Sequence, residues 1–125
     1  MFSHVMLGAN DIEASRRFYD AVLGALGIAP AVPDPKGRLL YFGKSGIFAV
    51  TAPLDGQPAT PANGGTIGFA VQSAEDADAW HRAGVAAGGT SCEDPPGWRE
   101  NAVGKIYLAY LRDPAGNKLC ASCRL

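Results

Sequence analysis

The sequence predicts an α+β fold in one domain, built from two βαβββ modules whose mixed sheets curl around a cavity. Three observations predict it. A short apolar run followed by a capped, amphipathic helix occurs near the start and again just past the middle. The two copies align at a constant offset of 62 residues, which pairs His4 with Thr66, Asp11 with Ser73 and Phe18 with Trp80. Each copy leads into short β-rich runs punctuated by Gly and Pro turns, too little chain to build a core alone.

Module one covers residues 1–52. Residues 2–9 are apolar and are followed by turn formers, as in a buried strand. Asn10-Asp11-Ile12-Glu13 then opens a helix, with short polar side chains suited to accept the first free amide protons. Ile12, Tyr19, Leu23 and Leu26 recur at helical spacing, and Phe18 and Val22 widen the apolar face. Gly24 and Gly27 loosen the helix end and Pro30 stops it. Strands are expected over residues 28–32, 38–42 and 47–52, separated by Pro33-Asp34-Pro35-Lys36-Gly37 and Gly43-Lys44-Ser45-Gly46 turns.

Residues 53–65, rich in Pro, Gly, Ala and Asn, form a connector. Module two covers residues 66–125. It opens with a strand over 66–71 and a helix that starts at Ser73-Ala74-Glu75-Asp76 and runs towards Ala87. A short strand begins near Thr90, and residues 92–104 form a loop. A closing hairpin pairs residues 105–111 with 118–123 across Asp113-Pro114-Ala115-Gly116-Asn117, where proline presets one φ and Gly116 tolerates a positive one.

Composition excludes several classes of partner. With 47% hydrophobic residues, 18% charged residues and a net charge of −1, nothing favours nucleic acid or an anionic membrane surface. No apolar run reaches the length of a membrane span. The start lacks the basic segment and apolar core of an export signal, and three cysteines are an odd number, so reduced thiols in the cytoplasm are expected.

The opening FSHVMLGANDIEASRRFYDAVLGALG and the ending RDPAGNKLCASCR, set on paired βαβββ modules, resemble the glyoxalase / bleomycin-resistance / dioxygenase superfamily, also called vicinal oxygen chelate. The resemblance covers essentially the whole chain. It implies a small-molecule cavity in each curled sheet, often completed by a homodimer partner. In metal-using members, His and Glu side chains on the first and last strands of each module hold a divalent ion that binds vicinal oxygens of the substrate.

On that pattern His4 matches the first-strand ligand position of module one and is the metal-ligand candidate. The matching position in module two is Thr66, and the last-strand position there is Cys120. The last strand of module one offers only Thr51. A divalent ion needs several N or O donors converging at about 2.0–2.2 Å, so one imidazole does not supply the usual His/Glu site. A Cys120 thiolate would favour softer metals.

The same resemblance makes His4 and Cys120 candidate catalytic residues on one cavity, with the imidazole helping to form a thiolate. Cys120 also suits a plain role as a small apolar filler. Cys120-Ala121-Ser122-Cys123 is formally C-x-x-C, but residues three apart on a strand face opposite ways, so the sulfurs do not meet. Tyr107 and Tyr110 are likewise three apart, so one faces the cavity. Trp98 and Arg99, expected in a loop over the mouth, form an aromatic–cation pair that suits a planar or anionic molecule. With Thr66, these are the candidate substrate-binding residues. Two functional readings follow. One is a small-molecule-binding protein with a degenerate metal site; the alternative is a lactoylglutathione lyase-like, dioxygenase or thiol-transferase enzyme with an altered metal or thiol site.

Overall fold

The 62-residue offset persists in three dimensions. In the computed structural model, which describes residues 1–125, helix α1 (Ile12–Gly24) and helix α2 (Ala74–Ala86) have the same length and begin 62 positions apart. Each is capped as the sequence suggests. Asp11 Oδ1 accepts the Ala14 amide at 3.0 Å, and Ser73 Oγ accepts the Asp76 amide at 3.1 Å.

Module one contributes β1 (His4–Gly8), α1, β2 (Val32–Pro33), β3 (Leu39–Phe42) and β4 (Ile47–Thr51). They form one sheet in the order β1-β4-β3-β2, with β1 parallel to β4 and the other pairs antiparallel. Module two contributes β5 (Ile67–Ala70), α2, β6 (Thr90–Ser91), β7 (Gly97–Asn101), β8 (Gly104–Arg112) and β9 (Lys118–Arg124). Its sheet runs β5-β9-β8-β6, β5 is parallel to β9, and β7 pairs with β8 beyond β6. Residues 53–65 contain no helix or strand.

Two expectations are corrected. The strand placed over residues 28–32 is only Val32–Pro33, because the chain leaving α1 spends Leu26–Ile28 closing the helix end, with the Ile28 amide bonded to the Leu23 carbonyl at 3.0 Å. Residues 92–104 are not one loop. Residues 97–101 pair with β8 as β7, so the second sheet has five strands. The polar string Arg99-Glu100-Asn101 hid this strand. It gains its ladder from β8 rather than from apolar alternation of its own.

The modules share one core. Phe18 and Trp80, equivalent by the offset, are both fully buried. Between them runs a chain of ring contacts: Tyr19 to Phe48 at 4.7 Å, Phe48 to Phe69 at 5.3 Å, and Phe69 to Trp80 at 6.4 Å. The helices touch where Gly84 faces Val22; a Cβ on Gly84 would lie 3.0 Å from Val22 Cγ1 and 2.3 Å from Leu111 Cδ1. The matched glycines Gly27 and Gly89 serve different ends. Gly27 adopts φ of +81°, whereas a Cβ on Gly89 would come within 2.4 Å of the Phe18 ring.

The turn between β8 and β9 also joins the modules. Asp113 Oδ1 accepts the Ala115 and Asn117 amides, each at 2.9 Å, which closes the turn. Asp113 Oδ2 accepts the Tyr19 hydroxyl of α1 at 2.5 Å and Asn117 Nδ2 at 2.9 Å. Asn117 Nδ2 also donates to the Gly8 carbonyl of β1 at 3.0 Å. Burial and the adjacent Asp113 charge hold the Tyr19 hydroxyl well above the ordinary tyrosine range, so it stays a donor.

Candidate small-molecule site

Strand alternation divides each sheet into a helix-covered face and an open face. In the first sheet Leu39, Tyr41, Phe48 and Val50 join the core, and His4, Met6, Phe42 and Ile47 lie on the open face. In the second, Tyr107, Ala109, Leu119 and Ala121 join the core, and Gly68, Tyr110, Cys120 and Ser122 lie on the open face. The helix-covered faces share one core with both helices, so the two open faces look the same way.

The sheets do not hydrogen-bond to each other, and a cleft of about 870 Å³ lies along their facing edges. Both edge strands line it, through His4 and Val5 of β1 and Ile67–Ala70 of β5. Phe42 and Ile47 extend it onto the first sheet; its polar groups include Lys44, Gln72 and Asp76. The volume lies within the usual range for small-molecule sites. A Cβ on Gly68 would meet nothing within 4 Å, so the floor is open there. A smaller hollow of about 250 Å³ lies under the connector, between Asn10 and Gln57.

The candidate residues are distributed unevenly. His4 lines the cleft, exposed, with Nδ1 2.8 Å from Ser3 Oγ. Cys120 does not line the cleft; it lies one strand further in, paired with Gly68 on one side and Tyr110 on the other. Thr66 is exposed just ahead of β5. Of the two tyrosines, Tyr110 lies on the open face. Tyr107 turns under α2, where its hydroxyl donates to Asp78 Oδ1 at 2.6 Å; that bond and burial push its pKa up to about 12.

Trp98 stands against Tyr107 on the helix side, ring centroids 5.3 Å apart, with Lys105 Nζ 5.4 Å from its centroid. Trp98 and Tyr107 are therefore not brought together with Cys120, because β7 is a strand and its alternation turns Trp98 away from the open face. Arg99 keeps the open-face register, but its guanidinium donates to the backbone carbonyls of Gly97, Pro95 and Asp94 at 2.8, 2.9 and 3.2 Å.

Around Cys120 the structure adds residues that sequence reasoning missed. Lys118 Nζ lies 5.0 Å from the Tyr110 ring centroid and pairs with Glu93. Lys118 precedes Cys120 by two residues, so alternation alone places it on the same face. Glu93 carries no such signal: it reaches Lys118 from a bend with φ of +54°. Burial raises the Cys120 pKa, outweighing the support that the Ala109 backbone and the Tyr110 hydroxyl give the thiolate. Cys120 and Cys123 point to opposite faces, and all three cysteines are free. No three His, Cys, Asp or Glu side chains converge on a common point, and Thr51 Oγ1 donates to the Ala52 carbonyl at 2.9 Å.

A family model described as Glyoxalase/Bleomycin resistance protein/Dioxygenase superfamily matches residues 1–121. Among solved structures, a glyoxalase/bleomycin resistance protein from Albidiferax ferrireducens T118 is 60% identical, with a TM-score of 0.96 over 99% of each chain. A virulence protein from Salmonella typhimurium is 26% identical, with a TM-score of 0.69 over 100% of this chain and 97% of its own. A lactoylglutathione lyase from Agrobacterium tumefaciens, 20% identical with a TM-score of 0.68 over 98% of this chain and 92% of its own, shares the fold. No curated protein matches the chain.

Proposed function

From the premise that the chain belongs to the glyoxalase/bleomycin resistance/dioxygenase superfamily, we propose that it binds a small molecule in the cleft between its two sheets, without a divalent metal in the His/Glu position. The observation that carries this reading is the cleft itself: about 870 Å³, lined mostly by apolar side chains, with His4 at its edge and no bulk above Gly68. The donor chemistry supports the metal-free part. One imidazole, a protonated thiol and two threonine hydroxyls do not make a site for a hard divalent ion, which needs several anionic or imidazole donors at one point. A second copy of the chain walls the concavity from the open side, where Met6 and Val32 are 40% and 51% exposed.

The test fills the cleft. Gly68→Leu adds a side chain into open space, so the variant folds with wild-type stability and loses at least about tenfold in affinity for the neutral apolar probe N-phenyl-1-naphthylamine, because a filled pocket forfeits its burial. Unchanged probe binding in a folded Gly68→Leu protein would sink the reading.

The enzymatic alternative rests on the Tyr110–Cys120 contact beside Lys118. Stoichiometric metal after purification without chelator, together with glutathione-dependent turnover of methylglyoxal, would favour it over binding alone.

A further inference from the structure

The two modules present equivalent hairpins with opposite chemistry on the open-face rungs next to their turns. Each sheet has a hairpin whose first two open-face rungs correspond: Phe42–Ile47 and Leu40–Ala49 in the first, Arg112–Lys118 and Tyr110–Cys120 in the second. The repeat places them at equivalent points, since His4 neighbours Ile47 and the matched Thr66 immediately precedes the Ile67–Leu119 pair. One set is wholly apolar. The other carries two cations, an aromatic hydroxyl and a thiol.

The charge on the second face is largely uncompensated. Arg112 bonds a neutral acceptor, the Gly116 carbonyl, at 2.8 Å. Arg99 and Arg124 share this face by register, Arg99 bonds only carbonyls, and neither forms an ion pair. Lys118 alone has a carboxylate, from Glu93. Yet the chain as a whole carries a net charge of −1. Many of its acids lie at the helices, Asp11, Glu13 and Asp20 at α1 and Glu75 and Asp78 at α2, and of the acids only Asp76 lines the cleft. The first sheet's open strands, by contrast, expose Phe42 and Ile47 at 55% and 36%.

We infer that the ligand is an amphipathic organic anion, its apolar body in the cleft on Phe42 and Ile47 and its anionic group reaching past the cleft lining, over β5, towards Arg112 and Lys118 on the β8–β9 face. The inference rests on the small-molecule-binding reading and names the class of ligand for that site. The geometry sets a length. From β4 to β9 the floor crosses two strand spacings plus the cleft, roughly 15–20 Å, which suits an extended chain of about ten carbons or more. His4 and Gly68 lie at mid-floor, one on each edge strand, and Gly68 leaves room for the chain to cross. Opposite charge at the far end adds a salt-sensitive term that the apolar half cannot supply.

Dansylaminoundecanoate and its methyl ester test this directly, since they share an apolar body and differ in one carboxylate. In fluorescence titrations the acid is expected to bind about tenfold tighter than the ester at low salt, an advantage that disappears at high salt as the charges are screened. The pair Arg112→Gln and Lys118→Gln removes that advantage and leaves ester affinity unchanged, which a misfolded variant would not do. Equal affinity for acid and ester, or an unaltered ratio in the charge variant, overturns the inference and leaves the binding reading intact. Failure of both probes to bind overturns the binding reading as well.

Discussion

At Cys120 position and reactivity separate. The residue is 6% exposed, on the open face beside Tyr110, which suggests a nucleophile by placement alone. Burial decides otherwise at neutral pH. A thiol held above its ordinary pKa stays protonated there, and the thiolate fraction grows only as pH rises through the shifted value. In a Cys92→Ser/Cys123→Ser background, alkylation of Cys120 by iodoacetamide is therefore expected to accelerate through a midpoint above that of a free thiol. Tyr110→Phe removes the neighbouring hydroxyl that favours the thiolate and moves the midpoint higher. A midpoint below that of a free thiol would revive Cys120 as an activated nucleophile.

Among the elements, the β8–β9 hairpin links local sequence to the union of the modules. Asp-Pro-Ala-Gly-Asn is turn chemistry, and Asp113 and Asn117 close the turn as that chemistry requires. Their remaining polar atoms reach across to Tyr19 and Gly8 in module one. Asp113 and Asn117 are each 4% exposed and Tyr19 is fully buried, so no water replaces a lost partner. Asp113→Ala strands the Tyr19 hydroxyl and two turn amides, a loss of about 3 kcal/mol or more. The corresponding drop in Tm is roughly 10 °C, read by thermal unfolding. A Tm within about 2 °C of wild type would mean that the turn is not a structural joint.

For the whole molecule, asymmetry between the open faces is the main feature. The matched rungs of the two hairpins carry apolar side chains in one module and cations in the other, so the apolar cleft borders a sheet face that bears Arg112 and Lys118. Exposed apolar side chains on a sheet face also invite a partner. Met6 and Val32 lie outside the cleft lining, so Met6→Asp with Val32→Asp tests assembly without filling the site. Wild type is expected at twice the 13.0 kDa chain mass by light scattering, and the variant at 13.0 kDa. A wild-type protein that is already monomeric would remove the second copy from the proposed site.

Sequence alone determined the repeat and hence the fold, because helix caps, helical spacing and turn residues are local signals that recurred at a fixed offset. Asp11 and Ser73 cap their helices because a short side chain beside a free amide needs no tertiary help. Sequence also determined that Cys120 and Cys123 diverge and that only one of Tyr107 and Tyr110 shares the face of Cys120, since alternation is a property of the strand. What only the tertiary structure decided was pairing. Residues 97–101 became a strand because β8 offered it a ladder, and this turned Trp98 onto Tyr107 and away from Cys120. Glu93 came to Lys118, and Gly68 came beside Cys120, through contacts between residues far apart in the chain. Long-range neighbours leave no periodicity in a sequence; they follow from how sheets and helices close over a shared core.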